Sequence, residues 1–151
     1  MFSLIITIIS IALVAALALA TLYYGGSAFN RGSDGAVASQ LINEGQQING
    51  AVAVAKADAA AGGAATIDLQ GLVTNQYLSQ LPSSFAGSGS VRLAEGGVSR
   101  LTTPGVCAEV NKRAGHTVAI ASTLAAAPGM YGCGAIGPAG SQVADTFYYK
   151  F

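Results

Sequence analysis

Residues Phe2 to Leu22 read FSLIITIISIALVAALALATL, an apolar run interrupted only by Ser3, Thr7, Ser10 and Thr21. At 1.5 Å rise per residue, a helix over this run is about 31 Å long, the thickness of a bilayer's hydrocarbon core. The hydroxyls can bond back to carbonyls one turn earlier, so they cost little in lipid. Tyr23 and Tyr24 come next, where an interfacial aromatic belt would sit. No Lys, Arg, Asp or Glu precedes Arg31. The run therefore predicts a membrane-spanning helix over residues 1–24. A cleavable secretory signal is the competing reading, and Ala18-Leu19-Ala20 has the small-x-small pattern of a cleavage site. Against it, no basic residue precedes the run, and the run exceeds the roughly 7–15 apolar residues of a signal. A chain from which a short basic leader had been removed would start in the same way.

Composition points in the same direction. Of 151 residues, 52% are hydrophobic and only 9% are charged, against roughly 25% charged in an ordinary soluble domain. Mean hydropathy is +0.51. Seven basic and seven acidic side chains cancel, which argues against a binder that works by neutralising phosphates, so no nucleic-acid partner is expected. The apolar content excludes a disordered chain. Membrane or assembly is the class left.

Beyond the run, GGSAFNRGSDG carries Gly25, Gly26, Gly32 and Gly35. A break or loosening of the helix is expected over residues 25–35, with Ser33 or Asp34 as N-cap of a second helix. Over 36–62 this amphipathic helix is expected, its inward face drawn by Val37, Leu41, Ile48 and Val52. Glu44 and Gly45 interrupt that stripe once, and Gly62-Gly63 end the helix. Residues 63–151 read as a small α+β head with an antiparallel sheet. Its expected parts are a short helix or turns over 67–81 closed by Pro82, and a loop over 83–90. Val91–Ala94 and Val98–Thr102 form a hairpin, with a short helix after it over 106–114. Strands over 116–122 and 146–151 (TFYYKF) complete it.

Cys107 and Cys133 are the only cysteines. An extracytoplasmic context favours a disulfide, and closing the loop between them would contribute about 3.5 kcal/mol in the chain-entropy model. Two free thiols remain the alternative. Two cysteines and one histidine do not fill a tetrahedral metal shell. Gly132-Cys133-Gly134-Ala135-Ile136-Gly137 matches a dinucleotide-binding string literally, but that motif must open a helix after a strand, and Pro138 comes at once. His116 has no spaced nucleophile and acid to form a triad, and Lys112-Arg113 reads as a solvated helix face. Asp58, Asp68, Glu95 and Asp145 lack calcium-loop spacing. No enzyme and no cofactor is expected.

An apolar N-terminal helix, a longer amphipathic one and a small disulfide-bearing head together resemble a type IV pilin, the type IVb subclass most. Phe2-Ser3-Leu4-Ile5 resembles the start of mature pilins, and Tyr23-Tyr24 with the helix after it is similar to the same region of bundle-type pilins. Gln76-Tyr77-Leu78-Ser79-Gln80-Leu81-Pro82 is similar to their helix-to-sheet linker. Cys107, in VCAEVN, and Cys133 resemble the pilin disulfide pair, and TFYYKF fits their C-terminus. The chain departs at one place: pilins usually carry a glutamate fifth from the mature N-terminus, and here that place holds Ile5, or Ile6 if counted from Phe2. The resemblance implies a filament subunit whose core is built by Phe2, Leu4, Ile5, Ile9, Leu13, Ala16, Leu17 and Ala20. It also implies an inner-membrane pool before assembly, identical subunits as partners, a leader peptidase and an assembly machinery, and an extracellular pilus as the destination.

Overall fold

The structure, a computed structural model, describes residues 2–61, 68–86, 96–117, 119–121, 123–136 and 143–151. Its contacts divide the chain into two units, 1–34 and 35–151. The first helix, α1, is Phe2–Ala60. It forms the first unit and opens the second. The expected break at Gly25, Gly26, Gly32 and Gly35 is absent, since all four lie within α1. Each glycine weakens a helix by about 1 kcal/mol without obstructing it, whereas proline removes a donor and clashes. The first proline is Pro82. Ser33, expected as a cap, instead donates its hydroxyl to the Asn30 carbonyl at 2.9 Å.

Within the second unit, α1 buries Ala38, Leu41, Ile48, Ala51, Val52 and Ala55. Three of the four expected face residues are therefore in the core. Val37 is not: it is 42% exposed, while Ala38 beside it is fully buried. The packed line is set at that end by Arg113, whose guanidinium donates to the Ser39 hydroxyl and to the Gly35 carbonyl at 3.1 Å. With Ala38 on the packed line, Val37 lies to one side of it. Arg113 and Lys112 both lie on an exposed face, as expected; Arg113 is in addition tied to α1, and Lys112 lies 3.7 Å from Glu109.

Glu44 and Gly45 do not interrupt the stripe; both are buried in it. They sit three and four residues after Leu41 and before Ile48, which is in phase with a 3.6-residue turn. Gly45 admits the Tyr149 ring: a Cβ there would meet Tyr149 Cδ2 at 2.5 Å and Cγ at 2.7 Å. Tyr149 is itself stacked on Tyr131, ring centroids 6.1 Å apart, so it has little room to yield. Gly45→Ala is expected to lower stability by about 1–2 kcal/mol, overpacking outweighing the gain in helix propensity. Chemical unfolding of the two proteins measures this.

After α1 come α2 (Leu69–Thr74), capped by the Asp68 carboxylate, and a 3-10 turn at Ser83–Phe85 within the expected loop. The remaining elements are β1 (Gly97–Leu101), α3 (Pro104–Ala114), β2 (Ala119–Ala121), β3 (Tyr131–Ile136) and β4 (Val143–Lys150). Thr103 caps α3, Pro104 opens it, and Gly115 closes it at φ 75°, a left-handed position suited to glycine.

The sheet order is β1-β4-β3-β2. The β1–β4 and β3–β4 pairs are antiparallel, but β2 joins β3 in parallel. The expectation of an antiparallel sheet thus holds for three strands and fails for the edge strand β2. Val91–Ala94, the expected hairpin partner of β1, lies outside the described residues, and the observed partner is β4, Val98 facing Tyr149. The strand β3 was not expected at all. The strand expected over 116–122 is shorter, and its Val118 lies outside the described residues.

Because side chains alternate along a strand, β4 serves two cores. Phe147 and Tyr149 enter the one built with α1, Phe85 and α3; Tyr148 enters a smaller one with Leu124, Ala121 and Ala127.

Candidate functional site

The most distinctive chemical feature is the first stretch of α1. Phe2, Leu4, Ile5, Ile9, Leu13 and Leu17 are all more than half exposed, and Ala16 and Ala20 are exposed among them. Covering one such Leu or Ile is worth about 1.5–3 kcal/mol, so water is a poor solvent for the whole segment. Three of the four polar interruptions are internally satisfied: Thr7 donates to the Ser3 carbonyl, Ser10 to that of Ile6 and Thr21 to that of Ala18, each at 2.8 Å. Tyr23 and Tyr24 meet edge to face at 5.4 Å. Small Ala15 and Ala18 leave a shallow apolar groove along Ser10, Ile11 and Val14. This helix is long and apolar enough to cross a membrane.

In the head, Cys107 and Cys133 form the disulfide, with Cα atoms 5.2 Å apart. It joins α3 to β3. Asn111, one turn along α3, sits beside it with 5% exposure. Its side-chain amide donates to the Cys133 carbonyl at 2.9 Å and accepts from the Cys133 N–H at 2.8 Å. Among the described residues β2 pairs with Gly134 to Ile136, and Asn111 pairs with the residue just before them, Cys133. Nothing in the sequence pattern separates this asparagine from a solvated one except its spacing of four from Cys107.

Glu44 is a second residue whose role the sequence pattern hides. Its carboxylate accepts from Gln40 Nε2 at 2.7 Å and from the Ser84 N–H at 3.1 Å, fastening α1 to the 3-10 turn. Asp58 near the end of α1 takes the Tyr77 hydroxyl, which holds that phenol above its ordinary range.

His116 lies just past α3. Its Nε2 is 3.2 Å from the Tyr148 hydroxyl, which donates its own proton to the Pro128 carbonyl. The other histidine nitrogen, Nδ1, is 3.2 Å from the Ala114 carbonyl, so the ring is held between α3 and β4. Burial pushes the Tyr148 phenol up to about 12. The folded chain keeps this proton to higher pH than the unfolded one, whose tyrosines ionise near about 10. Stability is then level below about pH 10 and falls as pH rises from there towards 12. Unfolding midpoints measured across this range should show the fall, and Tyr148→Phe should flatten it.

The glycines of the dinucleotide-like string lie in β3, where Gly134 pairs with β2 on one side and β4 on the other; Gly137 falls outside the described residues. Among the described residues no three of His, Cys, Asp and Glu come together. Fold and exposed segment define the class: an α+β head with one disulfide, and a long helix whose first part is apolar on every side. No protein-family model, curated protein or solved structure matches the chain.

Proposed function

We propose that this chain is the structural subunit, and the major one, of a type IV pilus, polymerising through the first part of α1. The observation that carries the reading is the uninterrupted, charge-free apolar segment from Phe2 to Leu22, exposed along its whole length. Before assembly that surface lies in the inner membrane with the head outside the cytoplasm. Leaving lipid for water would cost roughly 25 cal/mol per Å², and packing against the same helix of other subunits removes this cost. Ala12, Ala15, Ala16, Ala18 and Ala20 let neighbouring helices approach closely. A head-to-tail contact that does not close on itself generates an open helical filament. The partners are identical subunits, with a leader peptidase and an assembly machinery acting on them, and no cofactor or catalytic step is involved.

One residue favours a second reading. Ile5 stands where pilins usually carry the glutamate that registers one subunit on the next, which suits a secretion pseudopilin or a membrane-anchored accessory protein. A pulse-chase fractionation separates the two. A filament subunit appears first in the detergent-extracted membrane and then moves into the fraction sheared from cells without detergent. An anchored protein stays in the membrane throughout the chase.

A further inference from the structure

His116 is the only histidine in the chain, and assembly through the apolar helix makes no use of it. The head nevertheless builds it a seat. A Cβ at Gly132 would lie 2.5 Å from His116 Nε2, and one at Gly129, where φ is 69°, would lie 3.1 Å from its Cε1. Two glycines thus leave the space that the imidazole fills. The ring is half-buried, so protons from the medium reach it.

In that seat both ring nitrogens face acceptors. Nδ1 is 3.2 Å from the Ala114 carbonyl. Nε2 is 3.2 Å from the Tyr148 oxygen, whose own hydrogen goes to the Pro128 carbonyl. A neutral imidazole carries one N–H and an imidazolium two. Only the charged ring therefore completes the run of hydrogen bonds from Ala114 through His116 and Tyr148 to Pro128. The phenol does not supply the missing proton: it has one hydrogen, already committed, and keeps it up to about 12.

The run ends on residues 123–130, TLAAAPGM. Leu124 and Ala127 of this segment are buried with Tyr148. Lys150 of β4 donates its N–H to the Met130 carbonyl at 2.7 Å and its ammonium to the Ala127 carbonyl at 2.5 Å. The segment itself and β2 carry no ionisable side chain. On α3, Lys112 lies 3.7 Å from Glu109, and Arg113 is tied to α1. On β3, Tyr131 donates to the Arg113 carbonyl at 3.4 Å. On β4, Tyr149 donates to the Met130 sulfur at 3.3 Å, and Asp145 lies at the far end of the strand from Lys150. Lys150 is the charge that opposes a second cation here, and the hydrogen bonds completed by the imidazolium work in its favour.

We propose that His116 is a proton-operated latch, which on taking up one proton from the medium fastens segment 123–130 to β4 and to the end of α3. The proton adds to a ring nitrogen and no bond breaks, so the step is reversible. Imidazole changes charge near pH 6.5 in water, so mildly acid surroundings close the latch and alkaline ones loosen it. The contribution is present in acid and fades as pH rises. That of Tyr148 is level in this window, so the two are separable. The latch belongs to the head alone and holds whether or not the chain polymerises.

Unfolding of the head is measured at pH 5 and pH 8 in the full-length chain in a non-ionic detergent, beside His116→Gln and Tyr148→Phe. The expected result is a folding constant that rises about tenfold from pH 8 to pH 5 relative to His116→Gln, which cannot take up a proton. Tyr148→Phe removes the acceptor at Nε2 and should lose this gain. Equal pH responses in the parent and His116→Gln overturn the proposal, and so does a gain that persists in Tyr148→Phe. A ¹⁵N spectrum of the parent's single histidine tests it without any substitution. Two ring N–H protons that exchange slowly with water at pH 5 are expected, and rapid exchange of both overturns the latch.

Discussion

Ala16→Asp is expected to remove the chain from the sheared surface fraction while leaving the head folded. Ala16 lies in the exposed apolar part of α1, with Leu13 and Leu17 on either side. A carboxylate at the centre of a spanning helix costs about 2.5–3.5 kcal/mol on insertion scales. In a packed helical core it would be an unpaired charge against apolar neighbours, which is costlier still. A loss of about 3 kcal/mol per contact corresponds to more than a hundredfold in association. The core residues of the head lie at Ala38 and beyond, so its thermal transition and its disulfide should be unchanged. Normal filament yield from this variant would count heavily against assembly through the apolar helix.

The largest expected loss of stability in the head comes from Asn111→Ala. The asparagine pairs with both backbone groups of Cys133 at ordinary hydrogen-bond lengths, and Cys133 is fully buried. Truncation leaves a donor and an acceptor without partners, each worth about 1–3 kcal/mol, so a loss of about 2–5 kcal/mol is expected. Asn111→Asp keeps the acceptor but sets a second oxygen against the Cys133 carbonyl in a buried place, so it should lose at least as much as Asn111→Ala. Chemical denaturation of the three proteins with the disulfide intact measures the series. An Asn111→Ala chain as stable as the parent would show that the two Asn111–Cys133 hydrogen bonds contribute nothing to the stability of the head.

The parts of this fold that can be read from sequence are those governed by local chemistry. The apolar run, the buried positions Leu41, Ile48 and Val52, and the pairing of Cys107 with Cys133 are set by periodicity, hydropathy and context. Sequence and structure part where local preference gives way to continuity or to distant partners. Glycines at 25, 26, 32 and 35 suggest a break by propensity, but a helix with no proline propagates through them. Glu44 and Gly45 look like a gap because one is charged and one has no side chain. Only the distant Ser84 N–H and the Tyr149 ring make both of them core residues.

Long-range pairing accounts for the rest. The partner of β1 is β4, far along the chain, and β2 joins β3 in parallel; neither register leaves a mark on sequence alternation. The strand β3 is hidden by Gly132 and Gly134, residues that depress strand propensity. Gly132 is glycine because a Cβ there would lie 2.5 Å from both His116 Nε2 and the Tyr148 hydroxyl. The proposed assembly surface is legible for a different reason. Fourteen charges that all lie beyond residue 30 are a property of composition and order, needing no register to be read.

The most direct test is electron microscopy of material sheared without detergent from cells producing this chain, with the subunit identified by mass spectrometry. The expected result is thin filaments composed mainly of this chain, their helices at Phe2–Leu22 packed in the core. A chain found only in the detergent-extracted membrane, with no filament containing it, would contradict the proposal that the apolar helix exists to be buried against copies of itself.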